Sequence, residues 1–295
     1  MNKYCKALLT MLFTLSIASS YAEPRNYLAL DTGYRWDNIS NRATLGGPTV
    51  SIVESTQTLK RINSYQLGAK GQYNLWCNTF IKGYAHYGWI GGSKYDESGF
   101  RGKNRGHTWN TQLALGYFCG WNCCVGIAPV IGYSWDNFNI TGRNIRVAVD
   151  GTVYRLSNIK ARQRFQGPFV GFDILLQPFC CLDITLGYEL HYARWHGQRN
   201  IKGNEFGNPP FGTTTGFSNK RRMHGVIGNV FKIDTSYRFC NCWNAGFELT
   251  YKLFRGDFGK YHRTVTPIIP QFTFAHIDDL EWHSFAAMIH IGKEF

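Results

Sequence analysis

Between Arg164 and Trp195 the chain reads RFQGPFVGFDILLQPFCCLDITLGYELHYARW, two alternating runs hinged at Gln177-Pro178. Period two sends Pro168, Val170, Phe172 and Ile174 to one face of the first run and Gly167, Phe169, Gly171 and Asp173 to the other. In the second run Leu182, Ile184, Leu186, Tyr188, Leu190 and Tyr192 oppose Asp183, Thr185, Gly187, Glu189 and His191. One face is continuously apolar or aromatic, and the other mixes small residues with charge. Strands of roughly 9–11 residues with this polarity are what a transmembrane barrel requires. A soluble sandwich also alternates, but its polar side rarely sets glycines among isolated carboxylates for the length of a membrane crossing.

The same pattern recurs ten times, near Tyr27–Trp36, Asn63–Tyr73, Thr79–Trp89, Thr108–Phe118, Val125–Trp135, Gln163–Ile174, Leu182–Arg194, Val226–Tyr237, Ala245–Phe254 and Trp282–Phe295. An even number of strands brings both ends of a barrel to one side of the membrane. The connections sort by parity. After even strands come tight breaks around Asn74–Cys77, Cys119–Cys124, Gln177–Cys181 and Cys240–Asn244; after odd strands come polar segments, roughly Asp37–Ile62, Ile90–His107, Asp136–Arg162, Trp195–Gly225 and Arg255–Glu281. Short periplasmic turns and long extracellular loops are the expected asymmetry of an all-β, closed antiparallel transmembrane β-barrel.

Residues 1–22 read as an export signal: Lys3 and Lys6, the apolar run Ala7–Ile17, then Ser20-Tyr21-Ala22 as a small-x-small cleavage pattern. The barrel would then occupy 23–295. Composition agrees with this reading, since aromatics make up 16% of the residues while mean hydropathy is only -0.27, which leaves no stretch greasy enough for a membrane helix. A closed barrel is the other way to pair every backbone group within a bilayer. The terminal Phe295 ends an alternating run and resembles the assembly signal of bacterial outer-membrane barrels, so the predicted location is the cell outer membrane.

The turns give the cysteines a place. Cys77, Cys119, Cys123, Cys124, Cys180, Cys181, Cys240 and Cys242 all fall in the four tight breaks, and Cys5 lies in the export signal. Only one turn has spacing suited to structural zinc, so no metal and no cofactor are predicted. An oxidising periplasm favours disulfides, and adjacent cysteines fit each other poorly, which points to bonds between turns or to other envelope proteins. The cysteine usage resembles that of the disulfide-linked envelopes of chlamydia-like bacteria.

Charge adds a second feature. Without Lys3 and Lys6 the balance is 30 basic against 19 acidic residues, or +11. The excess lies in the outer segments, with Lys103 and Arg105 in the second, Arg162 and Arg164 closing the third, and Arg221 and Arg222 in the fourth. Such a rim concentrates anions: lipopolysaccharide phosphates of the outer membrane, or acidic glycans of a host surface. Nucleic acid is not an expected partner of a surface barrel.

The run Gln163-Arg164-Phe165, Pro168, Gly171 and the following Tyr188–Trp195 strand resemble the sixth and seventh strands of the omptins, ten-stranded outer-membrane proteases. Gln66–Gly71, Gly83–Trp89 and Gly132–Trp135 are loosely similar to the strands before them. Opc-type adhesins share the ten-strand plan without protease chemistry. The omptin resemblance implies a lipid A phosphate grip at Arg164. It would also require an Asp-x-Asp pair after the third strand facing an Asp-x-His pair after the seventh. This chain has Asp96-Glu97 at the first place and His196 without the preceding carboxylate at the second, so neither half matches. Glu189 or Glu205 with His191 or His196 is the substitute pairing the residues allow, although parity puts Glu189 and His191 in a lumen network with Asp31, Arg35, Lys70, His86, Asp173, Asp183, Glu248, Lys252 and His290. Ten strands enclose a lumen that side chains fill, which argues against a general porin and leaves a narrow selective pore as the channel reading. The resulting expectation is a surface barrel that binds anionic partners, adhesin-like or structural and cross-linked through its periplasmic cysteines, with an altered omptin-like endopeptidase as the alternative.

Overall fold

A computed structural model of the chain describes residues 25–47, 50–76, 78–97, 100–122, 124–149, 152–202, 217–239, 242–264 and 274–295; the predicted export signal lies outside them. Among the described residues the strands are β1 (Tyr27–Gly47), β2 (Val50–Asn74), β3 (Thr79–Glu97), β4 (Phe100–Tyr117), β5 (Cys119–Asn122), β6 (Val125–Val149), β7 (Thr152–Phe179), β8 (Leu182–Lys202), β9 (Phe217–Phe239), β10 (Trp243–Thr264) and β11 (Phe274–Glu294). All neighbours pair antiparallel. β4 and β5 both pair with β6 and form one stave interrupted at Phe118. The pairings of β1 with β11 and of β4 with β6 close ten staves into a barrel.

Period two survives intact through the membrane. Leu28 and Leu30 are 61% and 64% exposed while Ala29 and Asp31 between them are 1% and 2% exposed, so the apolar face is the outer one. The same holds for Val170 and Phe172 against Phe169 and Asp173, and for Leu190 and Tyr192 against Glu189 and His191. Exposed aromatics form two girdles. Trp36, Tyr65, Trp89, Trp109 and Tyr192 mark the upper one, and Tyr73, Tyr117, Phe179, Tyr237 and Trp243 the lower. Their amphipathic rings suit the two membrane–water boundaries.

The outer segments differ from the expected loops. Apart from the four-residue β5, the strands run from 18 to 28 residues. At a rise of ~3.3 Å per residue and a tilt of ~40°, twenty residues climb about 50 Å, twice the ~25 Å apolar band. Half of the barrel therefore stands above the membrane as paired strand. The segments Asp37–Ile62 and Asp136–Arg162, for example, continue β1–β2 and β6–β7 nearly to their tips. Their polarity disguised them, because a strand outside the bilayer has no lipid to select an apolar outer face.

The tight turns lie where they were expected, with one adjustment. The hinge at Gln177-Pro178 is an irregularity in the β7–β8 register, and the chain reverses at Cys180-Cys181. Trp76, Phe179 and Trp243 beside these turns are 76%, 65% and 43% exposed, so they face outward and do not lean across the lumen.

Candidate functional site

The lumen is built in layers. Toward the periplasm, Lys70 binds Asp234 and Glu248 at 2.5 and 2.8 Å, Lys82 pairs with Asp173, and Arg238 reaches Asp183 and Glu294. Above this, His86 Nε2 lies 2.7 Å from Asp31, and Glu189 receives Lys232 and Gln112, each at 2.7 Å. Higher still, Arg35 contacts Asp37 at 3.0 Å and Asp136 at 3.3 Å, and Lys252 reaches both oxygens of Asp136 at 3.0 and 3.1 Å. Every inward charge anticipated from parity is found inside. Pairing is what makes burial of these charges tolerable.

Above Arg35 the interior changes character. Phe138, Phe165, Trp195, Phe254 and Trp282 are all 1% exposed or less and pack ring on ring, with Trp282 centred 4.4 Å from Phe165 and 4.8 Å from Phe254. Ile39, Leu59, Ile62, Val226 and Leu280 continue the cluster upward. This apolar core escaped the sequence reading, although the alternation Phe138/Ile140, Ala193/Trp195 and Leu280/Trp282 carries its signal.

The core decides where the catalytic candidates stand. His191 Nε2 is 2.9 Å from Glu189 and its Nδ1 is 3.1 Å from Ser134 Oγ, both in the lumen below the plug, where Glu189 is already held by Lys232 and Gln112. His196 lies on the outward face of β8, paired across to Arg164 and Arg222, and so cannot face a partner across the barrel. Asp96 and Glu97 end β3 by backbone pairing; their side chains, and Glu205, lie outside the described residues. No omptin-like set is assembled among the described side chains.

The outward face above the upper girdle is different. On β7 the exposed Lys160, Arg162 and Arg164 continue the lipid-facing parity of Pro168 and Val170. In register beside them come Arg194, His196 and Gln198 of β8, then Lys220 and Arg222 of β9. Arg164 Nε donates to Asn137 Oδ1 at 2.9 Å and Arg162 Nε to Asn139 Oδ1 at 2.8 Å, which fixes each guanidinium by one edge. No other hydrogen bond among the described residues takes their Nη groups, so the donor fork remains open. Burial and the neighbouring Arg222 and Arg164 push the His196 imidazole below the ordinary histidine range, as expected inside a cationic field. The described outward positions of β6 to β9 above the girdle contain no carboxylate. By contrast, β10 and β11 carry Asp257, Asp279 and Glu281, the last bound to Arg255 at 3.0 Å.

Of the remaining basic residues, Arg105 is exposed on β4 beside β6, while the Lys103 side chain lies outside the described residues. Arg221 does not belong to the outer face. It is 4% exposed and points inward to Asn41, because the chain inserts a residue near Gly225, where φ is +80°, and parity reverses above that point.

At the opposite rim, Cys119, Cys180 and Cys242 are exposed and Cys181 is half-buried, and no disulfide joins these four within the chain. Cys124 is buried in the same rim, and Cys77, Cys123 and Cys240 lie outside the described residues.

Ten closed staves, two aromatic girdles and a charge-paired polar lumen define a bacterial outer-membrane β-barrel. Its fold is similar to that of the outer membrane protease OmpT from Escherichia coli, with a TM-score of 0.68, 10% identity, and coverage of 95% of this chain and 99% of that one. Residues 29–295 match the family described as Pom, Protochlamydia outer membrane protein, and the chain belongs to that family. The translocator domain of the autotransporter NalP from Neisseria meningitidis aligns over 99% of this chain and 95% of its own at 10% identity, with a TM-score of 0.37. The toluene transporter TodX from Pseudomonas putida aligns over 96% and 94% at 9% identity, with a TM-score of 0.33. A search of curated proteins finds no match.

Proposed function

We propose that this outer-membrane barrel binds anionic headgroups, lipopolysaccharide phosphates or acidic glycans, on the outward cationic face of β7, β8 and β9. The observation that carries the reading is the open fork of Arg162 and Arg164 on a face without carboxylates. A guanidinium held by Nε and free at its Nη pair suits bidentate contact with a phosphate or carboxylate. Surface cations at a membrane contribute about 1 kcal/mol each, so removing two costs about 2 kcal/mol, roughly 30-fold in affinity. Arg162→Gln with Arg164→Gln should lower the glycolipid that co-purifies with the folded barrel by that order, measured by mass spectrometry of bound lipid. Arg42→Gln with Lys60→Gln, exposed cations on β1 and β2 beyond that face, should leave it unchanged. Equal loss in both pairs would reduce the face to ordinary rim charge.

A second reading concerns the periplasmic rim and can hold together with the first. Exposed Cys119, Cys180 and Cys242, free among the described residues, suit cross-links to other cysteine-rich envelope proteins. Envelopes isolated with thiols blocked should carry the protein in high-mass complexes that reductant releases. Serine at these three positions should shift most of it to monomer on non-reducing gels while the barrel stays folded. A monomer in unreduced wild-type envelopes would exclude the cross-linking role.

A further inference from the structure

The lower lumen holds a chamber of about 180 Å³, lined at its mouth by the rim residues Arg25, Asn244 and Glu294 and extending up to Tyr84 and Lys232. We infer that this periplasm-facing chamber is a binding site for a small aliphatic primary amine. Its lining side chains, together with Glu189 and Arg238 that pair with them, carry six carboxylates against five Lys or Arg, a net charge of −1 with His290 neutral. Each of the cations already has a carboxylate: Lys70 has Asp234 and Glu248, Lys82 has Asp173, Lys232 has Glu189, Arg25 has Glu294, and Arg238 has Asp183 and Glu294. Lys70 alone serves two carboxylates, so the excess negative charge lies on one wall.

That wall is formed by β9, β10 and β11. His290 is 7% and Asn244 is 4% exposed, yet among the described residues His290 Nδ1 and Asn244 Oδ1 have no hydrogen-bond partner, and neither does Asp234 Oδ1. His290 Nε2 lies 3.8 Å from Asp234 Oδ1, which places two of the three groups side by side. With the His290 proton on Nε2, Nδ1 is an acceptor, and at 3.8 Å Nε2 is too far away to satisfy Asp234 Oδ1. Buried acceptors seldom remain unsatisfied in a folded protein. An ammonium group brings three donors and one positive charge, matching both the number of open acceptors and the residual charge.

The facing wall selects the rest of the ligand. Phe80, Phe118 and Leu175 present apolar surface to the same chamber, suited to a short alkyl chain. A neutral alcohol would leave the charge unbalanced, and an anion would meet the acceptors with repulsion. Water alone could meet the hydrogen-bonding demand, since the chamber far exceeds the ~10–15 Å³ that one ordered molecule requires. It would not use the apolar wall.

The test is titration calorimetry of the full-length barrel, refolded in detergent micelles, with n-butylamine, n-butanol and butyrate. Saturable binding of the amine is expected at millimolar concentration, with the alcohol and the acid at least ten-fold weaker. Asn244→Leu and Asp234→Asn should each weaken the amine about ten-fold, while Arg162→Gln with Arg164→Gln, on the outer face, should not. If either lumen variant fails to fold, saturation-transfer NMR on the wild-type protein compares amine with alcohol directly. Equal binding of the two would mark a merely apolar pocket, absence of binding would mark a water-filled chamber, and either result overturns the proposal.

Discussion

Replacing Asp136 by Ala should destabilise the folded barrel by about 3–5 kcal/mol, the usual penalty for stranding a buried charge. Asp136 is 2% exposed and is the carboxylate shared by Arg35 and Lys252. Without it Asp37 alone faces two cations in a layer that water does not reach, with Arg35 lying against the rings of Phe138 and Trp282 at 5.0 and 5.4 Å. The loss is read as a fall in the urea midpoint of the heat-modifiable gel shift. Asp136→Leu together with Lys252→Met should recover most of it, since the Arg35–Asp37 pair at 3.0 Å then remains balanced. A change under about 1 kcal/mol for Asp136→Ala would mean that solvent enters this layer.

Trp282→Ala should cost about as much by a different route. Its indole is fully buried, stacks on Phe254, lies tilted against Phe165, meets Phe138 edge-on at 5.5 Å, and donates from Nε1 to Asp37 at 3.0 Å. Deleting a large buried aromatic costs roughly 3–5 kcal/mol through the cavity left behind. Trp282→Phe keeps much of the volume and should fall well short of that; what it still loses reports the indole donor to Asp37 Oδ1, an oxygen that keeps Arg35 Nε at 3.0 Å. Both are measured by the same urea titration. If Ala and Phe behaved alike and near wild type, the outer lumen would be loosely filled and the plug would have to be abandoned.

The membrane half of this protein was legible because lipid imposes a rule on every second residue. Leu28, Leu30, Tyr34 and Trp36 had to be apolar, and Asp31 and Arg35 between them had to face one another's kind across the lumen. The upper half obeys the same geometry with the opposite content. Above the girdle the inward positions turn apolar, as at Phe165 and Trp195, and the outward ones turn polar, as at Arg164 and His196. A reader following the apolar face therefore loses the strand at the point where inside and outside exchange character. Inserted residues blur it further. Near Arg61, with φ at 55°, and near Gly225, parity shifts by one, so that Leu59 and Ile62 both face inward and Arg221 turns inside while Arg222 stays out. The cationic belt was visible as charge but not as a face, because a face needs the register of three neighbouring strands. The unmet acceptors of the lower chamber could not be read at all, since partner counting requires coordinates.

The filled upper half has a consequence for change over generations. Because Phe165, Trp195, Phe254 and Trp282 anchor the staves just above the bilayer, the described strand ends beyond them rest on a pedestal with its own interior. Substitutions and insertions at those ends should leave folding nearly untouched. The parts of the chain that a neighbouring cell or an antibody meets first are thus free to diversify, while the pedestal that presents them is not.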